Sequence, residues 1–241
     1  MENAGIDTAA ADAAADATAA AIAGPAAGAA SPKKSKFPED RKLDLESLKA
    51  LAHPLRVQIL DTLSTYGQFT ASGLAERLGE SSGATSYHLR QLERHGFVRE
   101  VEGKGTGRER WWERVPGGIT LSSQELATSE AGRAASKTVL RQWERTRGAL
   151  LSDFMEHGYD VLAPEWAEIS TVSTVNLRLT AEQLKHVVEE WDNFANRVLD
   201  EYRGKNPPGS RPVQVHFNAF PVLDGTPTPL DPTADKGATT P

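Results

Sequence analysis

Two short helix-forming segments joined by a tight turn constrain the fold of this chain more than any other feature. The first segment, TASGLAERLG, begins with a suitable N-cap residue, Thr70, and ends at Gly79, which tolerates the positive φ of a helix C-terminus. The second begins after Ser81 or Ser82 and continues to Arg94. Residues spaced three or four apart form its inward face: Thr85, His88, Leu89 and Leu92. The sequence therefore predicts a helix-turn-helix.

The flanking segments extend this unit on both sides. Upstream, an apolar helical pattern is interrupted at His53-Pro54, because a residue before proline is displaced from the α region while proline suits the first turn of a new helix. We therefore expect two helices that meet at an angle. Downstream of Gly96 the residues alternate around the turn GKGTG, which predicts a β-hairpin. Basic side chains lie at its tip: Lys104, Arg108 and Arg110.

The order of these elements resembles a known family. LAHPLRVQIL, then GLAERLGESSGATSYHLRQLERHGFV, then a basic hairpin is similar to the winged helix-turn-helix of the ArsR family of bacterial transcription regulators. The resemblance covers about 73 residues, from 43 to 115. It implies that the helix from Ser82 to Arg94 is the recognition helix and that residues 103–110 form the wing. Metal-sensing members carry cysteines, and this chain has none.

The outward face of the second helix carries small, hydroxyl-bearing and cationic side chains. Short side chains let a helix approach the DNA major groove, hydroxyls bond phosphate or base edges, and arginine reaches a base. Ser86, Tyr87 and Arg90 are expected to face the bases. The full set predicted to contact DNA is Ser82, Ala84, Thr85, Ser86, Tyr87, Arg90, Lys104, Arg108 and Arg110.

A second interpretation of the winged segment stays open at this point. Residues 43–115 contain ten Lys and Arg and ten Asp and Glu, so the segment is not basic overall. The whole chain has a net charge of −6, so any DNA affinity must come from a local patch. A winged helix that binds another protein, without sequence-specific DNA binding, is the alternative function.

Beyond the hairpin, the sequence predicts a long helical region over 118–160 and a β-α-β unit over 161–222. The capping box from Thr180 to Gln183 opens a helix between two alternating segments, residues 174–179 and 213–220. The predicted fold is mainly α with α+β elements: a winged helix-turn-helix over 41–117, a long helix and a small β-α-β C-terminal unit. The long helix cannot bury its apolar stripe on the winged domain alone, so it needs a partner, either a second copy of the chain or the C-terminal unit. The resemblance to the ArsR family implies a homodimer that forms through helices flanking the winged domain.

The C-terminal unit is predicted to hold a small apolar or aromatic effector. Pockets are mostly apolar with a few polar groups, and the residues proposed to line this one are Trp143, Trp166, Trp191, His216 and Phe220. The same aromatic side chains at helix and strand spacing are also typical of a core or a dimer interface. His186 with Glu189 and Glu190 has a spacing that could hold a metal ion, but surface His and Glu are common and no metal or other cofactor is predicted.

Composition limits the remaining functions. Residues 1–40 are Ala-rich and residues 223–241 are rich in Pro, Thr and Gly, so both are predicted to be disordered tails. No apolar run is long enough for a membrane span, and neither a phosphate-binding Gly loop nor a nucleophile motif is present. We therefore expect a cytoplasmic, non-enzymatic homodimer that binds double-stranded DNA at an inverted repeat, as a repressor whose affinity a non-metal effector alters.

Overall fold

The computed structural model describes residues 41–105, 109–121, 126, 128–226 and 228. Short strands occur at β1 (Arg41–Lys42), β2 (Phe69–Thr70), β3 (Val98–Glu100), β4 (Trp111–Arg114) and β5 (Ile119–Thr120). The helices are α1 (Leu45–Leu51), α2 (Pro54–Tyr66), α3 (Ala71–Leu78), α4 (Ser82–Arg94), α5 (Glu130–Val161), α6 (Pro164–Ala167) and α7 (Ala181–Tyr202). The predicted, mainly helical winged helix-turn-helix is confirmed. The predicted tail over 1–40 lies outside the described residues.

The helix boundaries follow the local chemistry of the sequence. Helix α1 ends at Leu51, and α2 restarts with Pro54 at its first position while the His53 ring nitrogen accepts a hydrogen bond from the Leu55 amide at 3.2 Å. Helix α3 begins after Thr70, whose hydroxyl accepts from the Gly73 amide. These boundaries confirm the break that the His-Pro pair predicts.

Strands β3 and β4, which flank the wing in the sequence, form a three-stranded antiparallel sheet with β2, in the order β2-β4-β3. In β4, Trp112 pairs with Phe69 and Trp111 with Thr70. Since successive strand residues point to opposite faces, Trp112 is buried in the core while Trp111 stays half-exposed. The hairpin predicted around GKGTG is confirmed in β3 and β4.

The hydrophobic core joins the winged domain to the first half of α5. Val139 and Trp143 of α5 are buried with the apolar residues of α1, α2 and α4. Ser129 caps α5 through the Gly132 amide. The long helix is continuous from Glu130 to Val161. In the second half of α5 only Gly158 is buried.

The predicted C-terminal β-α-β unit needs a correction. Its helix exists as α7, opened by the predicted capping box between Thr180 and Gln183. The two predicted strands are wrong, because residues 171–180 and 210–222 form no β-ladder. A strand needs a hydrogen-bonded neighbour, and the alternating pattern alone does not supply one. Helix α7 has no buried residue.

Candidate nucleic-acid interface

Helix α4 is fixed in place by its inner face. Leu89 and Leu92 are fully buried, and the Ser81 hydroxyl caps the N-terminus by accepting from the Ala84 amide at 3.1 Å. The inner side chains leave the opposite face to solvent, where Ser82, Tyr87 and Arg90 are exposed and Ala84 and Ser86 are half-buried. The outer face is therefore accessible to a macromolecular partner.

Thr85 is a correction to the predicted contact set. Its side chain is fully buried, and its hydroxyl donates to the Ala71 carbonyl oxygen of α3 at 2.8 Å. The position falls on the inward side of the 3.6-residue period, one residue away from the exposed face. Thr85 therefore ties the two helices of the motif together and presents nothing to DNA.

The turn between α3 and α4 depends on Gly79. This glycine is in the left-handed conformation, with φ +67° and ψ 32°, and its amide donates to the Ala75 carbonyl. Only glycine adopts this conformation without a steric penalty. Together with the Thr85 hydrogen bond, the turn sets the orientation of α4.

A pair of imidazoles lies beneath α4. The His88 ring centroid is 4.4 Å from that of His53, and the ring of Tyr87 approaches His88 edge-on at 5.1 Å. Burial lowers the pKa of His88, and the neighbouring His53 and Arg56 lower it further. The His88 Nδ1 atom has no hydrogen-bond partner among the described residues. His88 is thus a neutral packing residue near pH 7, in agreement with its predicted place in the helix.

The wing holds two of the predicted cations, and Arg108 lies outside the described residues. Arg110 is exposed and forms an ion pair with Glu100, with its Nη1 atom 3.4 Å from Oε2. Lys104 is half-buried: its ammonium lies 4.0 Å above the Trp111 ring and donates to the Gln68 side chain at 2.7 Å. Gly105 permits the tight turn beside it, because a Cβ there would meet the Glu109 carbonyl oxygen at 2.6 Å.

Gln68 was not identified from the sequence. It follows Gly67 at the end of α2, where a polar side chain has the ordinary appearance of a loop residue. Its importance emerges only because β2 pairs with β4, which brings residue 68 beside the wing 36 residues later. No sequence signal marks such a contact between distant segments.

The residues predicted to line an effector pocket are distributed over several places. Trp143 is buried in the core against the winged domain, whereas Trp166 lies under the Arg211 guanidinium at 5.5 Å. Trp191 stacks on Phe217, with ring centroids 4.5 Å apart. The remaining two, His216 and Phe220, lie in the segment after α7 and are exposed. A common pocket stays a prediction.

Two further findings concern the described part of the chain. None of its helices has the length and apolar character required to span a membrane. Within the same residues, no group of three or more His, Asp or Glu side chains could hold a metal ion, and this includes His186 with its neighbouring glutamates.

The fold defines a winged helix-turn-helix domain, and the outer face of α4 is its accessible surface. Residues 51–101 match the sequence model of a family described as a helix-turn-helix domain. This match confirms the resemblance of the segment to the ArsR type. No curated protein matches the chain.

Several solved structures are similar to part of this chain. The reduced HlyU protein of Vibrio cholerae is 27% identical and covers 37% of this chain and 77% of its own, with a TM-score of 0.25. The transcriptional repressor BigR of Xylella fastidiosa is 20% identical, and the match covers 38% of this chain and 75% of BigR, with a TM-score of 0.25. A transcriptional regulator homologue of Pyrococcus horikoshii is 22% identical, and the match covers 44% of this chain and 97% of that protein, with a TM-score of 0.26.

Proposed function

We propose that this protein is a dimeric, sequence-specific transcription regulator that acts as a repressor. Residues 41–117 bind DNA, 118–160 connect, and 161–222 form a unit for dimerisation and effector response. The observation that carries the proposal is the outer face of α4, where Ser82, Tyr87 and Arg90 are exposed. No acidic residue occurs from 81 to 92, so no side chain from the N-cap through the first eleven residues of α4 repels phosphate.

The proposed contacts divide into base readout and backbone positioning. Arg90 is long enough to donate to a guanine edge in the major groove, and Ser86 and Tyr87 lie on the same outer side. Ser82 and Ala84 are in the first turn, where small side chains allow the helix N-terminus to approach a phosphate. Lys104, Arg108 and Arg110 of the wing neutralise phosphates or enter the adjacent minor groove.

A homodimer accounts for apolar surface that one chain leaves uncovered. In the second half of α5, Met155 and Tyr159 are exposed, and Val161 at its end is exposed by 77%. The segment from 212 to 223 contains no Asp, Glu, Lys or Arg and exposes Val213 by 70%. An exposed apolar segment without charges is prone to pair with another chain, so this one is expected to be covered. A second copy would also match the two-fold symmetry of an inverted-repeat operator.

Effector control is proposed to act through the C-terminal unit. The rings of Trp191 on α7 and Phe217 stack on each other, and His216 lies within electrostatic range of Glu144 and Arg147 on α5. A small aromatic molecule bound there would contact both α7 and the helix that enters the winged domain. By favouring one arrangement of the two recognition helices, it would change operator affinity through its differential binding to the two states.

The proposal is tested by letting the purified full chain select from fragmented DNA of its own host near physiological salt. We expect enrichment of an inverted repeat with half-sites about one helical turn apart. Arg90→Ala should relax the preference at one base position, by about 1–3 kcal/mol of discrimination. Arg94→Ala, a matched exposed arginine one turn later on α4, should leave that preference unchanged.

Two results would contradict this assignment. Equal loss of preference in the Arg90 and Arg94 variants would show that Arg90 does not read a base. Recovery of DNA without any motif would overturn sequence-specific regulation and favour the alternative, a winged helix that binds another protein.

A further inference from the structure

Four polar side chains, from the hairpin and from the connection between α2 and β2, form a continuous chain of hydrogen bonds. The Lys104 Nζ atom donates to Gln68 Oε1 at 2.7 Å, and Gln68 Nε2 donates to Glu113 Oε2 at 2.8 Å. The other Glu113 oxygen accepts from Arg99 at 2.6 Å. Gln68 therefore bridges a cation and an anion, and it links the end of α2 to β4 and to the loop that carries Lys104.

An amide is the side chain that fits this position. Its oxygen accepts from the ammonium while its NH₂ group donates to the carboxylate. The reversed orientation would place NH₂ against the Lys104 ammonium and oxygen against the Glu113 carboxylate. A carboxylate at residue 68 would attract Lys104 but repel Glu113, and an apolar side chain would bond neither.

Lys104 is held from two directions. Its ammonium lies 4.0 Å above the Trp111 ring, and Trp111 pairs in the sheet with Thr70, two residues after Gln68. An ammonium carries three N–H donors, so the bond to Gln68 leaves donors for a phosphate oxygen. A lysine already restrained loses less conformational freedom when it contacts DNA than a mobile one.

We infer that Gln68 is a positioning residue of the DNA interface, which holds the Lys104 ammonium where it meets a DNA phosphate. The inference rests on the proposed function, because it takes DNA binding and the wing contact as given. It adds a residue on the α2–β2 connection to the α4 and wing residues already assigned. Gln68 contributes through Lys104 and makes no base contact of its own.

The test is a double-mutant cycle on DNA affinity and on its salt dependence. The full chain and its Gln68→Met, Lys104→Met and double variants are titrated against a labelled mixed-sequence duplex of about 30 base pairs, which spans two half-sites. Lys104→Met should make the negative slope of log affinity against log salt shallower by about 0.9 for each wing bound. Gln68→Met should weaken binding several-fold, and the double variant should bind no more weakly than Lys104→Met alone.

Arg110→Met provides the matched control. Arg110 is a cation of the same hairpin but pairs with Glu100 and not with Gln68. Its loss should therefore add to that of Gln68→Met. If Gln68→Met does not fold, Gln68→Glu replaces it. The carboxylate of Glu at position 68 neutralises Lys104, so the slope of log affinity against log salt should be shallower than that of the unmodified protein.

The outcomes separate the inference from the proposed function. Additive effects of Gln68→Met and Lys104→Met, unchanged binding in Gln68→Met, or an unchanged slope in Gln68→Glu would each overturn the positioning role. If the unmodified protein binds the duplex and Lys104→Met binds equally well, the inference fails while DNA binding stands. If the unmodified protein binds no DNA, both fail.

Discussion

Asp61 is a carboxyl residue between α2 and α5 whose protonation depends on its surroundings. It lies on α2 and faces α5, where Thr146 and Trp143 are its hydrogen-bonding neighbours. Burial raises the pKa of Asp61 from 3.8 to about 7, and the bonds from α5 together with Arg114 and Arg147 only partly oppose that shift. Its Oδ2 atom has no hydrogen-bond partner among the described residues. Near neutral pH this carboxyl is therefore partly protonated.

The raised pKa predicts a pH dependence of stability. Between pH 3.8 and about 7 the folded protein binds a proton that the unfolded chain has released. The Asp61 contribution is complete below pH 3.8 and is lost as pH rises through about 7. In the unmodified protein the free energy of unfolding should therefore fall by up to about 1.4 kcal/mol per pH unit as pH rises through this range. Asp61→Asn should abolish that fall. Urea denaturation of both proteins across this range measures the difference.

The comparison cancels the other titrating groups, which both proteins share. Above pH 7 the Asn variant should be the more stable protein, because it buries no charge. Parallel pH profiles for the two proteins would rule out a raised pKa at Asp61.

Residues at this scale were predictable only where helical or strand periodicity fixes the direction of a side chain. The inward positions of Leu89 and Leu92, and the opposite faces of Trp111 and Trp112, follow from the sequence. Gln68 and Asp61 do not, because their partners are 36 or more residues away. Thr85 was misassigned because a hydroxyl suits both DNA and a buried carbonyl.

At the scale of elements, a glycine at a helix end and a glycine inside a helix should respond differently to substitution by alanine. Gly79 has φ +67° at the end of α3, while Gly148 lies in the exposed middle of α5. A Cβ at either position would meet no atom within 4 Å, so packing does not distinguish them. Gly79→Ala should destabilise the protein by about 1 kcal/mol, because alanine is strained in the left-handed region.

Gly148→Ala should act in the opposite direction. Alanine is preferred to glycine inside a helix by up to about 1 kcal/mol, and this variant should raise the midpoint of thermal unfolding. Calorimetry of the two variants tests the pair. Equal shifts of the same sign would contradict the left-handed assignment of Gly79.

Most helices of the described chain were predictable because each carries its own start and stop signals. Thr70 and Gly79 bound α3, and Thr180 opens α7 through a complete capping box. The strands of the C-terminal unit were not predictable in the same way. A helix satisfies its backbone within one segment, whereas a strand requires a second segment, and periodicity does not reveal which one.

At the scale of the whole molecule, the uncharged segment after α7 tests the proposed homodimer. Val215 and Gln214 are adjacent, and both are exposed in the single chain. We expect sedimentation equilibrium to show a dimer at micromolar concentration. Val215→Glu should dissociate it, since a buried unpaired carboxylate is costly at an interface. Gln214→Glu adds the same charge on the other side of the alternation and should leave the dimer intact.

The winged domain should remain folded in both variants, because the core formed by α1, α2, α4 and the first half of α5 includes no residue of this segment. A monomeric unmodified protein, or equal dissociation by the two variants, would exclude this segment as the interface.

The sequence by itself determined the local architecture: where helices begin and end, which side of α4 is outward, and that a hairpin follows. These features depend on capping, proline and glycine geometry and the 3.6-residue period, all of which operate within a few residues. Only the tertiary structure decided which side chains meet across the fold, as it bonded Thr85 to the Ala71 carbonyl and brought Gln68 to Lys104. It also left residues 171–180 and 210–222 without a ladder. Contacts between distant segments depend on the packing of whole elements, which no local pattern specifies.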